Sequence, residues 1–365
     1  MARKDRDPEK TARLRRQLLS WYKHGQRDLP WRRSADPYAI WVSEIMLQQT
    51  RVAVVVERYK AFMARFPTLV SLALAPEQEV LALWSGLGYY RRARMLHKAA
   101  QFVADNRQAN LPKTADELRT LPGIGTYTAA AIASIAYGEP VAVVDGNVER
   151  VLRRVAGWDA GGRTGGAALR RKVETLAGKL VDPVHPGDFN QALMELGATV
   201  CLPRNPQCLV CPIAGDCVTR GEHKTPARPR MQSREVAYAL SVRMGKLSGR
   251  ASREVLLEQR ADTLTVMPGL WELPALADPA VPDEELRMTV RHAIMQVNYY
   301  VRIRTVFEDD AEKMLAPGGV RHWLPLGEAA GMALTGLARK VLTRAHLLSS
   351  APSDVIAPQR NEDVL

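Results

Sequence analysis

The stretch Leu121-Pro122-Gly123-Ile124-Gly125-Thr126 decides how this chain folds. It joins two segments with helical spacing, Thr114–Leu121 and Thr126–Tyr137. Its two glycines permit a tight turn and the close approach of another backbone. A helix starting at about Thr126 directs its free N–H groups and the positive end of its dipole out of that turn, which suits a phosphate. Taken alone, Gly-x-Gly between helices is more often a plain helix–helix turn, so its meaning depends on what surrounds it.

Working outward, apolar spacing and strong helix formers predict helices over Thr11–Trp21, Ile40–Phe66, Glu77–Ser85, Arg91–Asn106, Asn147–Trp158, Leu169–Val181 and Asp188–Val200. Phe66-Pro67, Leu111-Pro112, Gly138-Glu139-Pro140, Gly161-Gly162 and His185-Pro186-Gly187 punctuate them. Thr114-Ala115-Asp116-Glu117 has the capping-box pattern. The proline-bearing segment that follows reads as a linker over residues 226–234. Beyond it Glu235–Met244, Glu254–Gln259 and Tyr299–Phe307 alternate like strands, and Ala333–Leu348 returns to helix. Residues 349–365 are polar and read as a disordered tail. The expected architecture is a mainly α part over 1–225 and a smaller α+β domain over 235–348.

Charge follows the same division. The 365 residues include 51 Lys+Arg against 39 Asp+Glu, a net charge of +12. Residues 226–365 hold 18 basic and 17 acidic side chains, so nearly all the excess lies in the helical part. That is the footprint of a polyanionic partner such as nucleic acid, with solubility alone as the rival reading. A hydrophobic content of 46% excludes a coiled coil and wholesale disorder. No apolar run approaches the roughly 18 residues a membrane span needs. Met1–Asp7 is charged and has no apolar core, so no secretory signal is read there. A cytoplasmic monomer is expected.

The cysteines form one group, Cys201-x6-Cys208-x2-Cys211-x5-Cys217. Such clustering favours a metal site over a disulfide framework. Zinc sites usually use paired Cys-x-x-Cys knuckles, and only one such pair is present. An iron–sulfur cubane accepts thiolates from longer loops. Iron–sulfur is the leading reading; zinc and free thiols are the alternatives.

Two carboxylates stand out. Glu44 is the lone acid in Ile40-Trp41-Val42-Ser43-Glu44-Ile45-Met46-Leu47-Gln48-Gln49-Thr50-Arg51, where helical periodicity puts Glu44, Leu47, Gln48 and Arg51 on one stripe. A solvated face is the plain reading, but Trp41, Ile45 and Leu47 would make an expensive exposed surface. A carboxyl in an apolar pocket has its pKa raised and becomes a proton donor near neutral pH. Asp145, in Val143-Val144-Asp145-Gly146-Asn147-Val148, follows an apolar run and precedes a helix. A capping role at about Gly146–Asn147 is compatible with catalysis, because a helix N-terminus keeps a carboxylate ionised. One protonated and one ionised carboxyl is the pairing that breaks glycosidic bonds.

With Leu29-Pro30-Trp31-Arg32, Gly86-Leu87-Gly88-Tyr89-Tyr90 and Phe189-Asn190-Gln191-Ala192-Leu193-Met194, these motifs span nearly all of residues 27–217 and resemble the MutY family of adenine DNA glycosylases, in the endonuclease III superfamily. The resemblance implies a helix–hairpin–helix glycosylase with two helical lobes and a [4Fe–4S] cluster on Cys201, Cys208, Cys211 and Cys217, whose spacing is the superfamily's. It implies a partner: double-stranded DNA with adenine opposite 8-oxoguanine or guanine, met at the nucleoid. It further implies that Glu44 protonates adenine at N7 and then activates water. Asp145 would stabilise the oxocarbenium sugar or bond to its C1′ until water replaces it, and Tyr127 and Asn147 would support them. Arg27, Trp31, Arg32, Leu47 and Gln191 match the pocket for a flipped adenine. Gln48, Gln49, Thr50, Arg51, Tyr89 and the hairpin residues Leu121, Gly123, Ile124 and Gly125 match DNA contacts. Bifunctional relatives place a Schiff-base lysine where this chain has Tyr127, so a monofunctional enzyme is implied.

In the second domain Val255–Arg260 and Met267–Pro274 resemble the MutT-like, Nudix-related domain that reads 8-oxoguanine, without a Nudix box. Arg291-His292-Ala293 leads there into Ile294-Met295-Gln296, where many members carry Phe-Ser-His. Ile294, Met295 and Gln296 are then the candidate lesion contacts; the other reading is a buried strand start with Ile294 and Val297 in the core. Two rival functions remain. A bifunctional glycosylase for oxidised pyrimidines is opposed by Tyr127 and the second domain. A non-catalytic iron–sulfur DNA-binding protein is opposed by the presence of both carboxylates.

Overall fold

A computed structural model describes residues 8–158, 166–223, 230–247 and 250–349. The expected Gly161-Gly162 turn, residues 226–229 of the linker and the tail beyond residue 349 lie outside these. The chain divides into two compact units, residues 1–73 with 95–227, and residues 74–94 with 228–365. The helices run α1 Pro8–Gly25, α2 Pro37–Leu47, α3 Val52–Arg65, α4 Leu69–Ala73, α5 Glu77–Leu83, α6 Arg91–Asn106, α7 Ala115–Leu118, α8 Thr126–Tyr137, α9 Gly146–Ala156, α10 Ala167–Leu180 and α11 Pro186–Thr199.

Local chemistry explains the boundaries. Asp36 starts α2 by accepting from the N–H groups of Tyr38 and Ala39 at 3.1 and 3.3 Å, with Pro37 at the first helical position. The single helix expected over Ile40–Phe66 is two. Gln49 adopts a left-handed backbone (φ +55°), which ends the hydrogen-bond ladder, and α3 restarts at Val52. Gln48 and Arg51 therefore do not continue the Glu44–Leu47 stripe. Thr114 caps α7 by accepting from Glu117 N–H at 3.3 Å, as its capping box predicts.

In the first unit, α2 packs on α3 and α8, and α7 also packs on α8. A second lobe gathers α1, α9, α10 and α11 around Leu14, Leu18, Val148, Val151, Leu152, Val173, Phe189, Leu193 and Leu196, all buried. Each such side chain contributes about 1.5–3 kcal/mol through burial. The lobes join where α11 meets α8. Two glycines let α11 sit close to its neighbours: a Cβ on Gly187 would lie 2.8 Å from the Ser134 carbonyl oxygen of α8, and one on Gly197 would lie 2.6 Å from Asn147 Cβ of α9. In the hairpin Gly123 has φ +74°, and a Cβ there would meet Met95 Cβ at 2.6 Å.

The second unit holds β1 Gln232–Leu240, β2 Val242–Leu247, β3 Arg250–Gln259, β4 Trp271–Glu272, β5 Leu286–Ile294, β6 Val297–Thr305, α12 Glu308–Met314, β7 Val320–Pro325, α13 Leu326–Gly331 and α14 Gly336–Arg344. One sheet has the order β1-β6-β5, with β1 and β6 parallel and β5 antiparallel to β6. In the other, β3 pairs antiparallel with β2, β4 and β7. Leu240, Val255, Leu257, Val290, Val301 and Ile303 from the two sheets share a core with Leu337, Val341 and Leu342 of α14. The α+β expectation therefore holds. The strand expected over Glu235–Met244 breaks at Ser241 into two, and its first part begins at Gln232, inside the stretch read as linker. Residues 74–94 group with this unit rather than with the helical part. Tyr90 donates to the Leu334 carbonyl at 3.0 Å, Arg339 to Ser85 Oγ at 2.7 Å, and Arg94 to the Pro268 carbonyl at 2.8 Å.

Candidate active site and cluster loop

Glu44, Tyr127, Asp145 and Asn147 line one cavity of about 800 Å³ in the first unit. Arg27, Trp31, Arg32, Leu47 and Gln191 line it too, as do Gln48, Gln49, Thr50 and Arg51 from the turn after α2. That turn, forced by Gln49, brings all four polar residues to the cavity, including Gln49, which lies off the expected stripe. Gln48 Nε2 also donates to Thr128 Oγ1 at 3.2 Å, which ties the turn to α8.

The two carboxylates are held in opposite ways. Glu44 is buried near the end of an apolar helix, and its Oε2 accepts from the Tyr127 hydroxyl at 2.6 Å. Burial pushes its pKa up to about 7; the Tyr127 hydrogen bond opposes this, Asp145 adds to it and Arg32 opposes it. The Tyr127 hydroxyl is in turn held well above its ordinary range, by burial and then by the Glu44 charge, so it remains a donor. Asp145 is half-buried and is itself the cap of α9. Its Oδ1 accepts from Val148 N–H at 2.7 Å and its Oδ2 from Asn147 Nδ2 at 2.8 Å. Arg150 donates to Asn147 Oδ1 at 2.9 Å and to the Cys201 carbonyl at 2.9 Å, joining this cap to the start of the cysteine loop.

Glu195 and Met194 also line the cavity and were not expected. Gln191, Met194, Glu195 and Ala198 all line it at i, i+3, i+4 and i+7 of α11. An acid one turn beyond Gln191 on the same helical stripe is the signal that would have found Glu195. It is buried and accepts from Arg27 Nε and Nη2, both at 2.7 Å, and from Arg32 Nη2 at 2.8 Å. Despite the cost of burial, the two guanidinium groups hold its carboxyl down to about 2.

Other expected contacts lie elsewhere. Gly123 and Gly125 of the hairpin are exposed, whereas Leu121 and Ile124 are buried beneath them. Gly125 caps α8 with no side chain on the helix's first N–H groups. Tyr89 belongs to the second unit, is exposed and has φ +46°, with the Arg92 guanidinium 5.7 Å from its ring centre. Ile294, Met295 and Gln296 form the tip between β5 and β6: Ile294 is half-buried, Gln296 exposed, and Met295 73% exposed at φ +53°. The tip is thus a surface turn and not a buried strand start. In the same unit Glu258 pairs with Arg321 at 2.8 Å and Glu272 with Arg260 at 2.6 Å.

Cys201, Cys208, Cys211 and Cys217 all line one small cavity. Among the described residues no three Cys, His, Asp or Glu side chains converge closely enough to hold a single metal ion. Four separated thiols suit a cubane, which takes one at each iron corner. Burial, and then the proximity of Cys201, Cys217 and Cys208, pushes the Cys211 thiol up to about 11. Thiols so placed become thiolates when a metal supplies positive charge. Arg154, buried, donates to Cys201 Sγ at 3.3 Å and to the Leu202 and Pro203 carbonyls at 2.6 and 3.0 Å, so the cysteines already have a cation beside them.

Residues 42–178 match the model of the HhH-GPD superfamily of base excision DNA repair proteins, and residues 201–217 match the iron–sulfur binding domain of endonuclease III. The second match and the four cysteines lining one cavity assign a [4Fe–4S] cluster to this chain. An adenine DNA glycosylase of Mus musculus is 37% identical over 399 residues, covering 90% of this chain and 77% of the relative. The chain belongs to the adenine DNA glycosylase family. The Homo sapiens adenine DNA glycosylase is 49% identical over 224 residues, 59% of this chain but only 41% of the relative's length. A thermostable thymine-DNA glycosylase structure has a TM-score of 0.53 and 29% identity, covering 59% of this chain and 99% of that one. No helix among the described residues is long and apolar enough to cross a membrane.

Proposed function

We propose that this chain removes adenine paired with 8-oxoguanine or guanine in double-stranded DNA, by monofunctional hydrolysis of the N-glycosidic bond, and that it works at the nucleoid. The observation that carries the reading is the cavity's pair of unlike carboxylates: Glu44 at about 7 against Tyr127, and Asp145 accepting from Val148 N–H and Asn147 Nδ2. Near neutral pH a substantial share of Glu44 is protonated, so it gives its proton to adenine N7 as the bond lengthens. Asp145 faces the developing oxocarbenium charge, and its donors are already oriented. Glu44, now a carboxylate, then takes a proton from the attacking water.

Arg27, Trp31, Arg32, Leu47 and Gln191 receive the flipped base. The exposed hairpin glycines and open N-terminus of α8 suit a backbone phosphate. No lysine lines the cavity among the described residues, which supports hydrolysis without a Schiff base. The second unit is read as a MutT-like domain without hydrolytic metal chemistry, since Glu258 and Glu272 are each paired with an arginine. Met295 and Gln296 are its contacts to the lesion strand. The test is a duplex with adenine opposite 8-oxoguanine, scored with and without alkali. Breaks only after alkali support the reading; breaks without alkali indicate a lyase, and no abasic site indicates a binding protein.

A further inference from the structure

Arg27 and Arg32 bring two permanent positive charges to a cavity in which one carboxyl must stay protonated. A cation near Glu44 favours its ionised form, and Arg32 already acts in that direction. Left unbalanced, the guanidinium groups would also be free to swing. Glu195 answers both problems with one side chain. Its Oε1 accepts from Arg27 Nε at 2.7 Å and from Arg27 N–H at 3.3 Å, and its Oε2 accepts from Arg27 Nη2 at 2.7 Å and Arg32 Nη2 at 2.8 Å. The Arg27 fork is thus bidentate, the geometry that fixes a guanidinium plane as well as its charge. Arg32 is further held by donating from Nη1 to the Arg27 carbonyl at 3.1 Å and by lying 5.3 Å from the centre of the Tyr22 ring.

We infer that Glu195 is the positioning residue of the base pocket: it locks Arg27 and Arg32 in one arrangement toward the flipped purine and offsets their charge so that Glu44 keeps its proton. This rests on the reading of Glu44 as the acid and of the two arginines as pocket residues. The charged and titratable groups facing Glu44 are Tyr127 from α8, Asp145 ahead of α9 and Arg32 from the Pro30–Arg32 turn. Those facing Glu195 are Arg27 and Arg32, with Tyr22 of α1 and its neighbour Asp188 close by. Among these, Arg32 is shared by both carboxyls, so a change at Glu195 reaches Glu44 through it.

The experiment is single-turnover excision of adenine opposite 8-oxoguanine between about pH 5 and pH 9, using the full chain carrying its cluster. Activity needs protonated Glu44, so it falls with rising pH on the alkaline limb. Glu195→Gln leaves Arg32 less balanced, lowers the Glu44 pKa and moves that limb to lower pH by about one unit. Its plateau rate falls about 10- to 100-fold, as charged hydrogen bonds are lost. Glu195→Asp keeps the charge, so its limb stays at the parent's pH even where its rate falls. A damaged fold alone would lower the rate without moving the limb. Where Glu195→Gln does not fold, Arg27→Gln is compared with Arg27→Gln/Glu195→Gln, which keeps Arg32 and leaves one fewer unpaired buried charge. The limb must then lie at lower pH in the double variant. An unmoved limb in whichever comparison is available overturns the inference. A parent that excises no adenine overturns the underlying reading instead.

Discussion

In the helical unit the side chains proposed for chemistry are under cover: Glu44 is 5% exposed and Glu195 1%. In the C-terminal unit the candidate contact Met295, at a hairpin tip, is 73% exposed. A buried polar group is fixed by its partners and feels a low dielectric, so removing it has large consequences. An exposed tip is fixed by little, exchanges protein contacts for water, and carries only what its surface contacts are worth. The two regions should therefore differ by orders of magnitude in how much a substitution costs.

The largest effects are expected at the carboxylates. Glu44→Gln should lose about 10²- to 10⁴-fold in single-turnover excision while still binding mismatched duplex. Asp145→Asn should lose most excision as well, and its α9 cap is retained in part because Asn also caps. Parent-like rates in either variant would break the proposed division of labour. Next comes Cys208→Ser: the purified parent should be brown with about four irons per chain, and the variant should lose loop order and DNA affinity before bond cleavage suffers.

Tyr127→Phe tests the acid more gently. The Tyr127 hydrogen bond favours the charged form of Glu44, so removing it raises the carboxyl's pKa and should move the alkaline limb to higher pH, the reverse of the Glu195→Gln shift. The smallest effect is expected at the surface. Replacing Ile294-Met295-Gln296 with Phe-Ser-His should sharpen the preference for 8-oxoguanine over guanine by roughly tenfold or less. An effect as large as that of Glu44→Gln would erase the contrast between the two regions, and no effect would remove the tip from lesion reading.

Much of this arrangement was legible in the sequence because it is carried by local pattern. The bounds of α6 and α8 follow from periodicity between clear turn signals, and the capping box gave α7 its start. The cysteine spacing announced a metal loop. What escaped was decided at long range or by one backbone angle. Nothing about Gln49 advertises a left-handed residue, so one helix was expected where there are two. Glu195 acquires meaning only when α11 brings it to Arg27 and Arg32, more than 160 positions away. Strand β5 did carry an alternating signal, with Arg287 and Arg291 exposed on either side of buried Val290, but its charges hid it and no strand was assigned there. The affiliation of residues 74–94 with the C-terminal unit is made by long-range contacts such as the hydrogen bond from Tyr90 to Leu334, which no periodicity encodes.

The close approach at Gly197 sets a limit on making this protein more robust. On helix propensity alone, Gly197→Ala would steady α11 by about 0.5–1 kcal/mol, and a designer seeking heat resistance would choose it early. The added methyl group would instead press on Asn147 at 2.6 Å, and Asn147 is the side chain that holds Asp145. At this position helix stability trades against the geometry that holds the Asp145 carboxyl. The protein keeps the weaker helix.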